Sequence, residues 1–240
     1  DAELDALAER EFATGFDLTA PPLLRMVFVR LPSGGGRLIL TVHHLLVDAW
    51  SLTIFSAELL ALYQRARTAS EAELDTALPP PADYRDYLTW VAGTNRAAAE
   101  AAWRDYLSEL AEPTLVTGPR PTAQRPQTCA PLPRYRRVEL DEQTSTGLVD
   151  LARRLGVTLS TVVATAWGLA LRGATGSDDV VFGATVAGRH AEVPGTERMV
   201  GLLLNTVPVR LRTRPGERLD AVLRRMFAEQ GALTEHQHLG

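Results

Sequence analysis

The chain has 240 residues, of which 45% are hydrophobic and 22% are charged, which is typical of a globular protein that can bury a sizeable core. Its 25 basic and 29 acidic residues leave a net charge of −4, whereas a nucleic-acid binder usually carries a basic excess. The single cysteine, Cys129, excludes an internal disulfide framework and a multi-cysteine zinc site, and no apolar run approaches the length of a membrane span.

The first forty residues predict a helix followed by a β-hairpin. Leu4, Leu7 and Phe12 recur at helical spacing. Two strand-like runs follow, Leu23–Leu31 and Arg37–Val42, and the turn between them reads Pro-Ser-Gly-Gly-Gly. A glycine-rich turn between two apolar runs is the strongest hairpin signal in this chain.

Three more helices are predicted before the middle of the chain. Apolar residues at helical spacing cover Ser51–Arg67, and the candidate caps of this helix are Ser51 itself and Asp48. The other two helices are expected over Asp83–Val91 and Arg96–Leu110, the second of them rich in alanine.

A proline-rich segment divides the chain. Residues 112–133 contain six prolines and few large apolar side chains. Because proline lacks the backbone donor that helices and central strands need, we expect neither element there. The sequence therefore predicts an N-terminal lobe at 1–111, an exposed linker at 112–133 and a C-terminal lobe at 134–240.

The C-terminal lobe is expected to mix helices and strands as well, so the predicted fold class is α/β or α+β. The long apolar helix in this lobe is expected to be buried on most sides. In chain order, the predicted elements are a strand over Tyr135–Leu140, a helix over Thr146–Leu155 ended by Gly156, the apolar helix Leu159–Leu171, strands over Val180–Val186 and Thr206–Leu211, and a helix over Leu219–Ala232.

Residues 43–48, with the sequence HHLLVD, form the densest cluster of catalytic residue types. They follow a predicted strand and precede a helix, so they lie in a loop held by rigid elements. A neutral imidazole can take a proton from an amine or a hydroxyl, and a nearby acid can orient it. Spacing alone leaves open a core histidine with Asp48 as a helix cap. Metal binding is disfavoured, because adjacent histidines in a loop do not easily ligate one ion.

Five stretches resemble, in order, the signature blocks of condensation domains from nonribosomal peptide synthetases. Residues 43–51, HHLLVDAWS, resemble the family's HHxxxDGWS. The other four are 84–90 (YRDYLTW), 182–189 (FGATVAGR), 200–210 (VGLLLNTVPVR) and 235–240 (EHQHLG). Five ordered matches over nearly the whole chain are far more specific than any one of them.

The resemblance implies two chloramphenicol-acetyltransferase-like lobes in a V, with the active site in the cleft between them. Family members carry motifs before the hairpin and continue past the block that matches residues 235–240. We therefore expect this chain to be the middle of a domain, with both lobes incomplete, and the isolated segment to be inactive.

The resemblance also implies amide bond formation between an upstream acyl or peptidyl thioester and a downstream aminoacyl thioester. Each is carried on the 4′-phosphopantetheine arm of its own peptidyl carrier protein, and no cofactor or metal is bound directly. A neighbouring adenylation domain in a cytoplasmic bacterial synthetase is implied, with no nucleic-acid or membrane partner. The amino acids joined are not predicted, although the chain's ending and its alanine-rich helix favour an L-configured donor.

Residue by residue, the match assigns roles in the loop. His44, the family's second histidine, is the catalytic candidate, either as a base for the attacking amine or as a group that positions it. His43 is expected to be structural, with its ring turned into the loop. Asp48 is expected to brace the loop through an arginine, for which Arg189 is the best partner present.

Two further residues are substrate-binding candidates, and one position departs from the family. Asn205 is expected to offer its amide to substrate, the alternative being a turn-forming asparagine. Trp50 is the second candidate, although both it and Trp90 are interpreted first as core aromatics. Ala49 replaces the family's glycine, whose freer backbone or closer ligand approach a methyl group would hinder.

Two rival functions stay open. A related HxxxD acyltransferase acting on a small amine or hydroxyl acceptor matches the histidine motif equally well, but the blocks at 84–90 and 200–210 favour the condensation type. A non-catalytic condensation-like docking module is the other rival. Such modules tend to lose one of the two histidines, whereas this chain keeps both.

Overall fold

The fold is that of a computed structural model, which describes residues 2–32, 34–68, 70, 73–74, 78–116 and 136–239. Helices and strands are mixed along the chain, as the sequence predicts. The helices are α1 (Ala2–Thr14), α2 (Ala49–Arg65), α3 (Tyr84–Gly93), α4 (Arg96–Tyr106), α5 (Glu142–Leu155), α6 (Leu159–Thr175) and α7 (Leu219–Ala232). The strands are β1 (Leu24–Arg30), β2 (Gly36–Val42), β3 (Asp179–Val186) and β4 (Asn205–Arg212).

These elements form two compact units. The first comprises the described residues of 1–93 together with 189–204, and the second those of 94–188 and 205–240. The units thus alternate along the chain, whereas the sequence predicts two consecutive lobes. Of the predicted linker, residues 112–116 are irregular and 117–133 lie outside the described residues. The assignment of lobes and linker stays a prediction.

The first unit contains the predicted hairpin. Strands β1 and β2 pair antiparallel from Leu24 opposite Val42 to Arg30 opposite Gly36. Gly35 lies in the turn at a φ of 78°, a conformation that glycine adopts without steric cost. The hairpin leads directly into residues 43–48, the histidine loop, because β2 ends at Val42.

Helix α2 begins where the sequence places a cap. Of the two candidates, Asp48 is the cap: its side chain accepts the backbone N–H of Ser51 at 2.7 Å. The core of this unit joins α3 to segment 189–204 and is formed by the buried residues Tyr87, Val193, Met199 and Leu203. Segment 189–204 is therefore packed into the same unit as the histidine loop.

The second unit is built around the antiparallel pair β3–β4, in which Val180 lies opposite Leu211. Helices α6 and α7 cover this pair. Their shared core consists of Leu171, Val180, Val209, Leu211, Val222 and Met226. Helix α5 begins at Glu142, four residues before its predicted start, because Asp141 accepts the N–H of Thr144 at 2.7 Å and so caps it.

Two expectations about the second unit are wrong. The predicted strand Tyr135–Leu140 is irregular from residue 136 onward, and Val138 is 84% exposed. None of the described strands pairs with this segment, and a strand needs a partner for its backbone groups. Helix α6 is not buried on most sides either: Val163 and Trp167 are exposed, so only one of its faces packs on the sheet.

No single helix within the described ranges is long and apolar enough to cross a membrane. Helices α5 and α6 meet that length and composition only when taken together, and they are bent by 107° relative to each other.

Candidate active site

The histidine loop runs between two fixed ends. At its start, the backbone N–H of His43 donates to the carbonyl of Leu23 at 2.9 Å, which continues the hairpin pairing by one residue. Within the loop, the N–H of Leu46 donates to the carbonyl of His43 at 3.0 Å. At its end, the capped first turn of α2 fixes Asp48. Both anchors lie within the first unit.

The two histidines have different surroundings. His43 is half-buried, and its Nδ1 accepts the N–H of Leu45 at 3.1 Å while its ring meets Phe16 edge-on with centroids 6.1 Å apart. His44 is exposed, and its side chain makes no hydrogen bond with the part of the chain that the structure describes. His43 is thus in contact with its own loop and with Phe16, whereas the imidazole of His44 is exposed. The structural role of His43 and the catalytic role of His44 stay predictions.

Asp48 is buried and fully engaged. Its Oδ1 accepts the N–H of Ser51 at 2.7 Å and Nη2 of Arg189 at 3.2 Å, and its Oδ2 accepts the N–H groups of Leu203 at 3.2 Å and Leu204 at 3.3 Å. Burial acts to raise the pKa of Asp48, but the hydrogen bonds from Ser51 and Leu203 and the charge of Arg189 outweigh it and hold the pKa below its usual range. Four donors thus occupy the two oxygens of this buried carboxylate, and the role of Asp48 in bracing the loop stays a prediction.

Arg189 is the residue that lies against Asp48. Its side chain is only 6% exposed. Besides Asp48, its Nη2 donates to the Oγ of Ser51 at 3.2 Å, and its Nη1 donates to the carbonyls of Thr196 and of Met199, the latter at 3.0 Å. The guanidinium therefore ties segment 189–199 to the start of α2. Its importance for the reaction stays a prediction.

Trp50 is not a core residue, so that interpretation is wrong. Its side chain is 51% exposed, its indole N–H donates to the carbonyl of Glu197 at 3.0 Å, and its ring centre lies 5.2 Å from the Arg189 guanidinium carbon. Trp90, in contrast, packs against the core of the first unit, with its ring 4.3 Å from that of His190. Contact of Trp50 with substrate stays a prediction.

Ala49 is the first residue of α2 and is exposed. A helical backbone suits alanine as well as glycine, so the substitution needs no unusual backbone angles here. The remaining expectation is steric: the methyl group would hinder only a ligand that approaches the start of the helix closely.

Asn205 lies in the second unit, at the first position of β4. Its Nδ2 donates to the carbonyls of Gln237 and Leu239, both at 2.9 Å, and its Oδ1 accepts the N–H of Thr206 at 2.8 Å. Both amide hydrogens are thus bonded to the backbone. This geometry gives Asn205 a structural role in holding the residues after α7, and its contact with substrate stays a prediction.

Two residues contribute to the site in ways that the sequence does not predict. Ser51 is predicted only as a cap, yet its buried Oγ bonds both the N–H and the carbonyl of Gly201, at 3.0 and 2.8 Å. Tyr84 donates its hydroxyl to the carbonyl of Leu202 at 2.7 Å, and burial, followed by the nearby charge of Asp48, raises its pKa. Both residues belong to motif blocks, at 43–51 and 84–90, but nothing in either block predicts these contacts with Gly201 and Leu202.

The comparisons with known proteins agree on one family. A family model described as "Condensation domain" matches residues 1–240. The chain is 37% identical over 239 residues to chondramide synthase cmdD of Chondromyces crocatus, with 97% of this chain and 6% of that protein covered. It is 32% identical over 229 residues to bacitracin synthase 3 of Bacillus licheniformis, with 95% of this chain and 4% of that protein covered.

A solved structure matches as well. The first condensation domain of the calcium-dependent antibiotic synthetase, in complex with a substrate analogue, superposes with a TM-score of 0.72 at 24% identity. That match covers 99% of this chain and 54% of the solved one, and at this identity it establishes the fold. The chain therefore spans about half of the solved domain and a small part of the two curated synthases.

Proposed function

This chain belongs to the condensation domain family, and we propose that the protein containing it forms amide bonds in nonribosomal peptide synthesis. The donor is an acyl or peptidyl thioester, and the acceptor is the α-amine of an aminoacyl thioester. Both are delivered on the 4′-phosphopantetheine arms of carrier proteins, which act as substrates rather than as resident cofactors.

The reaction joins the acceptor nitrogen to the donor carbonyl carbon. As the C–N bond forms, the C–S bond of the donor thioester breaks, and the sulfur leaves as the thiol of the upstream arm. The attacking amine loses one proton, which balances the proton that the thiolate takes up. In this proposal His44 accepts that proton or holds the neutral amine in line with the carbonyl.

The observation that carries the proposal is the division of roles within one loop. The carboxylate of Asp48 is occupied by four donors, and Nδ1 of His43 is occupied by the N–H of Leu45. Between them, His44 is the exposed residue with an ionisable side chain. The hairpin and the first turn of α2 hold the two ends of this loop. A loop held in this way, with one exposed imidazole, is suited to accept a proton from an incoming amine or to position it.

The surface next to His44 is consistent with carrier-bound substrates. Leu45, Leu46 and Trp50 belong to the same stretch and are exposed, so the neighbouring surface is largely apolar and uncharged. A phosphopantetheine arm is a neutral chain of amides below its phosphate, and such a surface accepts it without burying an unpaired charge. We also propose that an adenylation domain neighbours this chain in the same synthetase, as the family resemblance implies.

The test uses the full-length protein that contains this chain. It is mixed with donor and acceptor carrier proteins loaded with aminoacyl thioesters, and the acceptor carrier is analysed by mass spectrometry for the condensed product. Dipeptide on the acceptor carrier supports the proposal. Product formed only with a free amine or alcohol would instead indicate a small-acceptor acyltransferase, and carrier binding without product would indicate a docking module.

A further inference from the structure

Ser51 and Tyr84 bind a short segment without regular secondary structure, residues 200–204. The Oγ of Ser51 accepts the N–H of Gly201 at 3.0 Å and donates to its carbonyl at 2.8 Å. The hydroxyl of Tyr84 donates to the carbonyl of Leu202 at 2.7 Å. One buried hydroxyl thus pairs both polar backbone groups of Gly201, and a second pairs the next carbonyl.

Asp48 binds the same segment from the helix cap. Its backbone N–H donates to the carbonyl of Gly201 at 3.2 Å, and its Oδ2 accepts the N–H groups of Leu203 and Leu204. Together with the bonds from Ser51 and Tyr84, this pairs five backbone groups of four consecutive residues. Buried backbone groups outside helices and sheets need such partners, so the segment is held tightly although it is irregular.

Gly201 has no room for a side chain. A Cβ built at this position would overlap the aromatic ring of Tyr84. On another side, the peptide of Gly201 meets the Ser51 hydroxyl, which is fully buried. Gly201 is therefore confined by the ring of Tyr84 and is hydrogen-bonded to Ser51 in the first turn of α2.

We propose that Ser51 is a positioning residue for His44 and acts through Gly201 and Asp48. The inference rests on the proposed function of His44. Since the His44 side chain has no hydrogen bond with the described residues, its direction depends on how the backbone of its loop is held, at both ends and within it. Ser51 helps to hold the C-terminal end of this loop, which is Asp48. Its Oγ bonds Gly201, and it also accepts a hydrogen bond from Arg189, the ion-pair partner of Asp48. A shift of about one ångström at a reacting group can cost about a hundredfold in rate.

The experiment compares Ser51→Ala with Thr53→Ala in the full-length protein. Thr53 is the matched control, because it lies two residues further along α2 and its exposed hydroxyl, among the described residues, bonds only to the carbonyl of Ala49. Two quantities are measured: amide hydrogen exchange in the peptide that contains residues 200–204, and kcat and KM for amide formation with both carrier proteins.

We expect Ser51→Ala to accelerate exchange in 200–204 at least tenfold and to lower kcat at least tenfold, with KM for either carrier within twofold of wild type. Thr53→Ala should change neither quantity. If Ser51→Ala does not fold, Tyr84→Phe removes only the hydroxyl that binds Leu202, and it should lower kcat about threefold at unchanged KM.

Two results would overturn the inference. One is unchanged exchange in 200–204, which would mean that Ser51 does not hold the segment. The other is wild-type kcat in a folded variant whose exchange has increased, which would mean that the segment does not position His44. Failure of the proposed function is distinct, because wild-type protein would then form no product at all.

Discussion

The Nη2 of Arg189 lies 3.2 Å from the Oδ1 of Asp48, and the two side chains are only 6% and 2% exposed. This ion pair joins positions 141 residues apart in the chain. Each partner has further hydrogen bonds: Asp48 accepts the N–H groups of Ser51 and Leu203, and Arg189 donates to the carbonyl of Met199. The pair is therefore one of the contacts that hold segment 189–204 against the first turn of α2.

Removing one partner of this pair should be costly. Asp48→Ala leaves the Arg189 guanidinium buried without its counter-charge, so we expect the free energy of unfolding to fall by about 3 to 5 kcal/mol. Amide formation should fall with it. Chemical denaturation and rate measurements on the same preparations test this. Asp150→Ala is the control, because the Asp150–Arg153 pair lies on an exposed helix face and should contribute little. Lost activity at unchanged stability would instead indicate that Asp48 acts directly in the reaction.

The lowered pKa of Asp48 predicts how stability depends on pH. A carboxylate whose pKa is lower in the folded than in the unfolded protein stabilises the fold above the unfolded value, about 3.9 for aspartate. That contribution is lost as the pH falls from there through the folded pKa. Wild type should therefore lose more stability than Asp48→Asn between about pH 5 and the folded pKa. The measurement is the free energy of unfolding of both proteins as a function of pH. An equal loss in the two proteins over that range would contradict the lowered pKa.

The close contact of Gly201 with Tyr84 makes a second stability prediction. Gly201→Ala places a methyl group against the ring, and we expect a loss of about 1 to 3 kcal/mol from overpacking. In the double variant Gly201→Ala/Tyr84→Leu the smaller side chain leaves room, so the two losses should not add. A double-mutant cycle on unfolding free energies measures this coupling, and strictly additive losses would mean that the ring does not confine Gly201.

Two glycines of α6 give a matched test of the second unit. A Cβ at Gly168 would lie 2.6 Å from Cδ2 of Leu211, whereas a Cβ at Gly173 would meet no atom of the described residues within 4 Å. Alanine is favoured over glycine in a helix by about 0.5 to 1 kcal/mol, so Gly173→Ala should be stabilising. Gly168→Ala should be destabilising by about 1 to 3 kcal/mol despite the same gain, because the clash exceeds it. Equal effects at the two positions in thermal unfolding would contradict the packing of α6 on β4.

Local pattern is sufficient to predict the elements around His44 but not the contacts that hold its loop. The hairpin and α2 follow from apolar spacing and from a turn of glycines, all encoded within a few residues. The bond between Ser51 and Gly201 joins positions 150 residues apart, and no periodicity records such a contact. For the same reason the segment after Tyr135 is wrongly predicted as a strand, since its pattern says nothing about whether a partner strand is present.

The role of His44 is tested most directly by a single-turnover assay of the full-length protein with loaded donor and acceptor carriers. His44→Ala removes an exposed side chain, so its unfolding midpoint should match that of wild type, while His43→Ala should lower the midpoint by removing the bond to Leu45. We predict that folded His44→Ala forms the amide product about a hundredfold more slowly, the scale of a lost acid–base or positioning group. Product formation near the wild-type rate by that folded variant would contradict the assignment of His44 as the catalytic residue.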